Sequence, residues 1–323
     1  MLKEISVEII RKCPNNCLHC SSMSNSQRQE KMQIEKFKEL VNDAKLLGAT
    51  TICLSGGEPF LHEDIAEMIK YVYDCGLAAY VYTSGIVFDD KGLYSEIPDF
   101  LLKSISKYIS KIIFNIEAGT EKTYNKIMGT KGCYKKMQQS IITANKYNIT
   151  AEAHFVPMKL NVNEIEDVVN LCNNIGVSKL SFLRLVVHGR AQQNEKILSL
   201  SYLEYKDLKN KLHKIESNSN LSIRIGVPLS NTDSCKKCEA ARGKLNIKYD
   251  GKVYPCEVFK NFDFNCTLKG LKPTSIYEES LLHIYQNSEY LRLVRKSYDD
   301  YIKINSCESC LGQYLIQMEN KGV

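Results

Sequence analysis

Cys13, Cys17 and Cys20 stand at C-x3-C-x2-C spacing in the segment RKCPNNCLHCSSMS. Three thiolates on one short loop do not complete a closed tetrahedral zinc site, which takes four ligands. Nor do they match the usual ferredoxin run, which supplies its cysteines at other spacings. Three thiolates do suit three irons of a cubane [4Fe–4S] cluster, whose fourth iron is then open to an exogenous ligand. Spacing alone also allows a zinc loop completed by His19 or by a distant residue. Farther along comes Ser55-Gly56-Gly57-Glu58-Pro59. Paired glycines at a strand end let a ligand approach the backbone closely, and the proline stiffens the exit. Glu58 is expected to project its carboxylate toward a cationic ligand group. Taken alone, Gly-Gly often marks only a tight turn.

Position sorts the 13 cysteines of this 323-residue chain. Cys53, Cys75, Cys133 and Cys172 stand alone within regular segments and read as small buried hydrophobes. The others gather near the two ends: the trio above, then Cys235, Cys238, Cys256 and Cys266, and finally Cys307 and Cys310. The charged start MLKEISVEIIRK lacks an export signal, and no apolar run reaches membrane-spanning length. A cytoplasmic location follows as an expectation, with some of these thiols serving as metal ligands and not as a disulfide framework. Lys and Arg total 43 against 37 Asp and Glu, and the excess of +6 is spread along the chain. Neither a membrane partner nor a dedicated nucleic-acid surface is expected.

The elements that position these residues follow from periodicity. KEISVEII (3–10) predicts a strand running into the cysteine loop. Ile34, Phe37, Leu40, Val41, Ala44 and Leu47 predict a helix over about 34–48. Further strands are expected over 51–55, 78–83, 111–117, 149–156 and 179–186, with helices over 63–75, 97–107, 134–147 and 163–175. Six strand–helix repeats imply an α/β fold with a parallel sheet, and the count suits a partial (β/α)6 TIM-like barrel. In such barrels the chemistry sits at the C-terminal strand ends, where both motifs fall. Strand parity places Asn115 with Glu117, and Glu152 with His154, toward the lumen, with a salt bridge such as Glu152 to Arg184 as the alternative. Beyond about residue 190 the pattern changes. A helix is expected over 201–215, a β-hairpin in KLNIKYDGKVYPC around Asp250-Gly251, and a helical region over about 275–298. The expected division is a barrel over 1–195, a connecting segment over 196–232 and a small hairpin-plus-helix extension over 233–323.

Together these motifs resemble the radical S-adenosylmethionine (SAM) enzymes. Cys13, Cys17 and Cys20 match that superfamily's CxxxCxΦC loop, with His19 at the usually aromatic Φ position, and Gly56, Gly57, Glu58 and Pro59 match its GGEP motif. The resemblance covers roughly residues 5–190. It implies a [4Fe–4S] cluster whose open iron chelates the amino nitrogen and carboxylate of SAM. GGEP would lie along the methionyl amino group and His19 near the adenine. It also implies reductive cleavage of SAM to a 5′-deoxyadenosyl radical, with an electron donor such as flavodoxin or ferredoxin. By the same resemblance Asn115, in NIEAGT, stands where a contact to the SAM ribose is common. Arg184 looks like the polar residue of the last strand, and His188 and Arg190 are lesser candidates.

The spacing of Cys238, Gly251 and Cys256 is similar to the opening of the SPASM and Twitch extensions of those enzymes. The hairpin turns the chain so that Cys256 returns toward Cys238, and Cys307 and Cys310 supply two more thiolates. A longer cysteine run typical of SPASM is missing, which favours the Twitch form with one auxiliary [4Fe–4S] cluster on Cys238, Cys256, Cys307 and Cys310. Cys235 could replace Cys238 as ligand, or be a free thiol that donates hydrogen near the substrate; Cys266 reads as a bystander. The spacing alone also permits a four-cysteine zinc ribbon. Two enzymatic readings follow: modification of a ribosomally made peptide by crosslink, epimerisation or oxidation, and oxidation or rearrangement of a small molecule such as an aminocyclitol or nucleotide. The barrel pattern opens almost at Met1, so no leader-binding domain is expected ahead of it. A zinc-stabilised scaffold is the reading from another class.

Overall fold

The computed structural model describes residues 1–226, 229, 238–304 and 310–321, with the backbone alone at 302–304. Strands β1 (Glu4–Ile10), β2 (Thr51–Gly56) and β3 (Ala78–Thr83) alternate with α1 (Ile34–Leu46) and α2 (Ile65–Asp74). A small hairpin, β4 (Ile86–Phe88) and β5 (Tyr94–Glu96), precedes α3 (Asp99–Ile105) and β6 (Lys111–Asn115). Helices α4 (Glu121–Met128) and α5 (Tyr134–Lys146) lead to β7 (Ala151–Phe155), and α6 (Ile165–Asn174) to β8 (Lys179–Phe182). The short α7 (Arg190–Gln193) and α8 (Glu195–Leu198) precede α9 (Tyr202–Asn218) and β9 (Ser222–Ile225). The remainder is β10 (Lys244–Ile247), β11 (Val253–Tyr254), α10 (Leu281–Asn287), α11 (Glu289–Ile304) and α12 (Leu311–Asn320).

The helices form where apolar residues recur at helical spacing and bury that stripe on the sheet. Phe37, Leu40, Val41 and Ala44 do so on α1, and Ile65, Met68, Ile69 and Val72 on α2. The sheet runs in the order β11-β10-β1-β2-β3-β6-β7-β8-β9, with every pair parallel except β10 with β11. The expected α/β fold with its six parallel strands is therefore present, and the sheet extends further at both ends. Strand β9 falls inside the expected connecting segment yet pairs with β8, and β10 of the expected extension pairs in parallel with β1. One cavity is lined from β1, β2, β3, β6, β7, β9 and β10. A flat sheet does not bring strands from opposite edges to one cavity, so this sheet curls around it, as in a partial barrel.

Three local differences bear on the site. Helix α4 was not expected; Thr120 accepts from Thr123 N at its start and Gly129, at φ +67°, closes it. The helical region over 275–298 is two helices, with Ser280 capping α10 through His283 N. Strand β8 stops at Phe182, short of the expected 186, so alternation no longer governs Arg184. Among the described residues no helix is long and apolar enough to cross a membrane.

Candidate radical SAM active site

The cysteine loop leaves the C-terminal end of β1 and is held by backbone groups from elements far away in sequence. Asn16 N donates to Met128 O (3.0 Å) and Leu18 N to Ile127 O (2.9 Å), both at the end of α4. Arg190 donates through Nε to Cys17 O (2.7 Å) and through its backbone N to Cys20 O (3.0 Å), at the start of α7. Asn194 Nδ2 reaches Leu18 O at 3.1 Å. The loop conformation is thus imposed from outside, and its own backbone acceptors are used.

Gly56 and Gly57 press against this loop. Gly57 N donates to Ile10 O (2.6 Å) and Glu58 N to Lys12 O (2.8 Å). A Cβ on Gly57 would lie 2.1 Å from Lys12 O, and one on Gly56 2.2 Å from Ile10 O, with Gly56 at φ +137°. The glycines therefore give close approach to the cysteine loop's own backbone, beside the approach to a ligand expected of them. Both still line the central cavity. Glu58 departs from expectation. Its fully buried carboxylate accepts from Thr83 Oγ1 (2.6 Å), Ser84 N (3.0 Å), Ser84 Oγ (2.7 Å) and Phe60 N (3.3 Å). Burial pushes its pKa up against these donors. It fastens the β2 exit to the β3 exit, its oxygens occupied by these donors. Pro59, also buried, opens a single 3-10 turn and stays out of the cavity wall.

The central cavity measures about 500 Å³, within the usual range for small-molecule sites. Cys13, Cys17, Cys20, His19, Gly56, Gly57 and Asn115 all line it. His19 Nε2 lies 3.1 Å from Glu117 Oε1, a carboxylate only 2% exposed. Burial, then the neighbouring negative charge of Cys17 and Glu58, pushes the Cys13 thiol well up; burial and then Cys20 do the same to Cys17. Among the described residues, no three His, Cys, Asp or Glu side chains converge as one metal ion would require. The charges of Cys17 and Cys20 both act on Cys13, so the three thiols stand near one another on the cavity wall.

Fit to a bound group can be judged from unpaired polar atoms. Both amide atoms of Asn15, His19 Nδ1, Ser24 Oγ, Glu117 Oε2 and Arg190 Nη2 are buried without a hydrogen-bond partner, and all five residues line this cavity. Native interiors rarely leave such atoms unsatisfied. A polar cofactor beside three thiols supplies what they lack, so the residues present fit a cluster-bound SAM. Cys13, Cys17 and Cys20 would hold the cluster. His19, Asn115, Glu117 and Arg190 stand in the cavity that SAM would fill.

Arg184 is not among them. Beyond the end of β8 it turns into a separate cavity with Pro157 and Tyr205. It does not pair with Glu152, whose carboxylate instead meets Lys111 (3.0 Å) and Lys179 (2.9 Å). His188 is turned toward the extension, its Nε2 2.8 Å from Val258 O.

In the extension, Cys238, Cys256 and Cys310 are half-buried. Burial raises the Cys256 thiol, and the charges of Cys310 and Cys238 add to that rise, so the three stand close together. Cys256 also lines the central cavity. Cys235 and Cys307 lie outside the described residues. Cys266 is exposed, and its backbone N donates to the Glu319 carboxylate. Of the four lone cysteines, Cys53, Cys133 and Cys172 are buried, whereas Cys75 is half-buried near Asn42.

A buried ion pair missed in the sequence joins the two parts. Lys260 Nζ contacts Glu8 Oε1 (2.6 Å), Glu257 Oε2 (2.6 Å) and Ser22 Oγ (3.0 Å), and Ser22 Oγ donates to Glu8 Oε1 (2.6 Å). Burial opposes both charges, yet Lys260 holds Glu8 below its usual range, and Glu257 together with Glu8 holds Lys260 above its own. Glu8 was findable, because Glu4, Ser6 and Glu8 form one polar face of β1; nothing local marks Lys260 as its partner.

Comparison with known proteins identifies the family. The chain matches the radical SAM superfamily over residues 7–172 and SPASM, an iron-sulfur cluster-binding domain, over residues 234–311. It belongs to the radical SAM superfamily and is an iron–sulfur, SAM-binding enzyme with a SPASM domain at its C-terminal end. That displaces the scaffold reading. PqqA peptide cyclase of Bradyrhizobium diazoefficiens is 22% identical over 312 residues, covering 95% of this chain and 78% of the relative. AdoMet-dependent heme synthase of Methanosarcina barkeri is 21% identical over 327 residues, covering 94% and 88%. Among solved structures, SuiB of Streptococcus suis bound to precursor peptide SuiA has a TM-score of 0.74 at 16% identity, covering 97% of this chain and 76% of that one. The structure of anSMEcpe with bound AdoMet and Cp18Cys peptide has a TM-score of 0.65 at 14% identity, covering 99% and 96%. These likenesses show a shared fold.

Proposed function

We propose that this enzyme oxidatively modifies a ribosomally made peptide, with a cluster and SAM on Cys13, Cys17 and Cys20 and one auxiliary [4Fe–4S] cluster in the extension. The carrying observation is that Cys256 lines the same cavity as the N-terminal trio. When bound, the cluster and SAM supply a 5′-deoxyadenosyl radical that takes hydrogen from substrate. One electron enters from a flavodoxin- or ferredoxin-like donor, and one electron and one proton leave the substrate afterwards. An auxiliary cluster held through Cys256 at the edge of the reaction cavity would take up that second electron. Cys307 is the fourth auxiliary ligand in this reading, and Cys235 a ligand or hydrogen donor. His19, Gly56, Gly57 and Asn115 contact SAM, with His19 kept in place by Glu117. A bound substrate would complete the cavity and keep water from the reactive radical. Similarity to peptide cyclases supports the peptide, and cytoplasmic iron–sulfur chemistry suits the many thiols. A small-molecule substrate is the second reading, favoured by the similarity to a heme synthase over nearly the whole chain.

The test is anaerobic reconstitution followed by incubation with SAM, reductant and either a short peptide encoded beside the gene or a metabolite pool. About eight irons per chain are expected for two cubanes. Cys17→Ala abolishes 5′-deoxyadenosine formation, whereas Cys310→Ala still cleaves SAM but yields no product. Full product from the Cys310 variant removes the auxiliary cluster from the mechanism. Product from the metabolite pool alone removes the peptide.

A further inference from the structure

The chain leaving β8 divides two cavities. Leu183 and Val186 face the central one, whereas Arg184, Leu185 and Val187 face a second of about 340 Å³. The opposite wall of the second comes from Leu198, Leu200, Tyr205 and Leu208. Arg184 brings a cation into this mainly apolar groove. Its Nη1 is buried without a hydrogen-bond partner, and no carboxylate among the described residues forms an ion pair with it. Arg184 is half-buried, with Nη1 as its shielded nitrogen, and a donor left unpaired there favours a carboxylate as its partner in the groove. The rim carries a second observation. Ile197, Tyr202 and Leu203 are exposed by 46%, 82% and 71%, immediately beside the lining residues of the segment 198–205. Single exposed apolar residues need no account, but a run of them bordering an apolar groove marks a contact surface.

We infer that this groove docks an acidic residue flanked by aliphatic ones in the peptide substrate. The carboxylate pairs with Arg184, whose planar fork matches it with two parallel hydrogen bonds. The aliphatic neighbours lie against Leu198, Leu200 and Tyr205. Because one stretch of chain separates the two cavities, a peptide crossing it puts this anchor in the groove and another residue in the reaction cavity. Binding energy is then gained from a segment that the chemistry leaves unchanged. The inference rests on the peptide reading above.

The probes are fluorescein-labelled, end-capped Gly-Leu-Glu-Leu-Gly and its Gln and Lys counterparts, followed by anisotropy on the reconstituted full chain without reductant. The Glu peptide is expected to bind about tenfold tighter than the Gln peptide, the order of a charge-assisted hydrogen-bonded pair. Arg184→Gln erases the difference, and Arg184→Glu reverses it in favour of the Lys peptide. A misfolded variant does not produce such a reversal. Equal binding of the Glu and Gln peptides by the unaltered protein overturns the groove, as does unchanged discrimination in Arg184→Gln. Since this binding is read without turnover, a wrong groove fails here while peptide product still forms, and a wrong substrate class fails in the product assay instead.

Discussion

A side chain's role in this molecule depends on which groups reach it first. Glu58 sits in a motif suited to ligand contact, yet donors from Thr83, Ser84 and Phe60 already occupy its oxygens. His19 and Glu117 differ: each keeps one polar atom unpaired at the cavity, so their pair remains open to a third partner. His154, also in the cavity wall, is tuned by its surroundings. Burial and then the Arg224 guanidinium push it down to about 3 from an ordinary 6.5. The unfolded chain therefore takes up a proton below 6.5 that the folded chain refuses, and stability held above that pH is lost as pH falls toward 3. The urea midpoint is expected to drop between about pH 7 and about pH 5, and His154→Gln to shrink that drop. Equal drops in both proteins would place the dependence on other groups.

At the scale of elements, the site is a set of loops clamped at strand ends. The exit of β2 can lie against the exit of β1 only because positions 56 and 57 carry no Cβ. The register shift between Glu8 and Ile10 brings Ile10 opposite Gly56 and aims the cysteine loop across this contact. Gly57→Ala is expected to push Lys12 and the loop away. Iron per chain after reconstitution then falls by about four, one cubane, while the extension keeps its share. Unchanged iron content would mean that the loop is held mainly by α4 and Arg190.

At the scale of the molecule, the extension is built onto the barrel instead of tethered to it. Strand β10 continues the sheet beside β1, and Lys260 inserts its ammonium, 5% exposed, against Glu8, 2% exposed. Removing one partner of such a pair strands the other charge in a low-dielectric setting. Lys260→Met is expected to cost roughly 3–5 kcal/mol by urea unfolding. Adding Glu8→Gln should recover part of that loss, because the stranded charge is then gone. A double variant no better than the single would show that packing, not charge, dominates the seam.

The order of strands and helices, the cysteine trio and the Gly-Gly-Glu-Pro turn are legible in the chain because each is local: periodicity and spacing involve residues within a few positions of one another. So are the expected barrel and the hairpin that returns Cys256. The fate of Arg184 was not legible, since β8 ends before it and parity no longer sets its direction. Nor was the choice between Glu58 as ligand contact and as internal fastener, which turns on donors twenty-five residues away. Local composition determined which chemistry this protein carries, whereas burial and contacts between distant segments decided which side chains face the reaction. Solvation and hydrogen-bond competition are set by the neighbours a fold assembles, and one-dimensional order alone does not contain them.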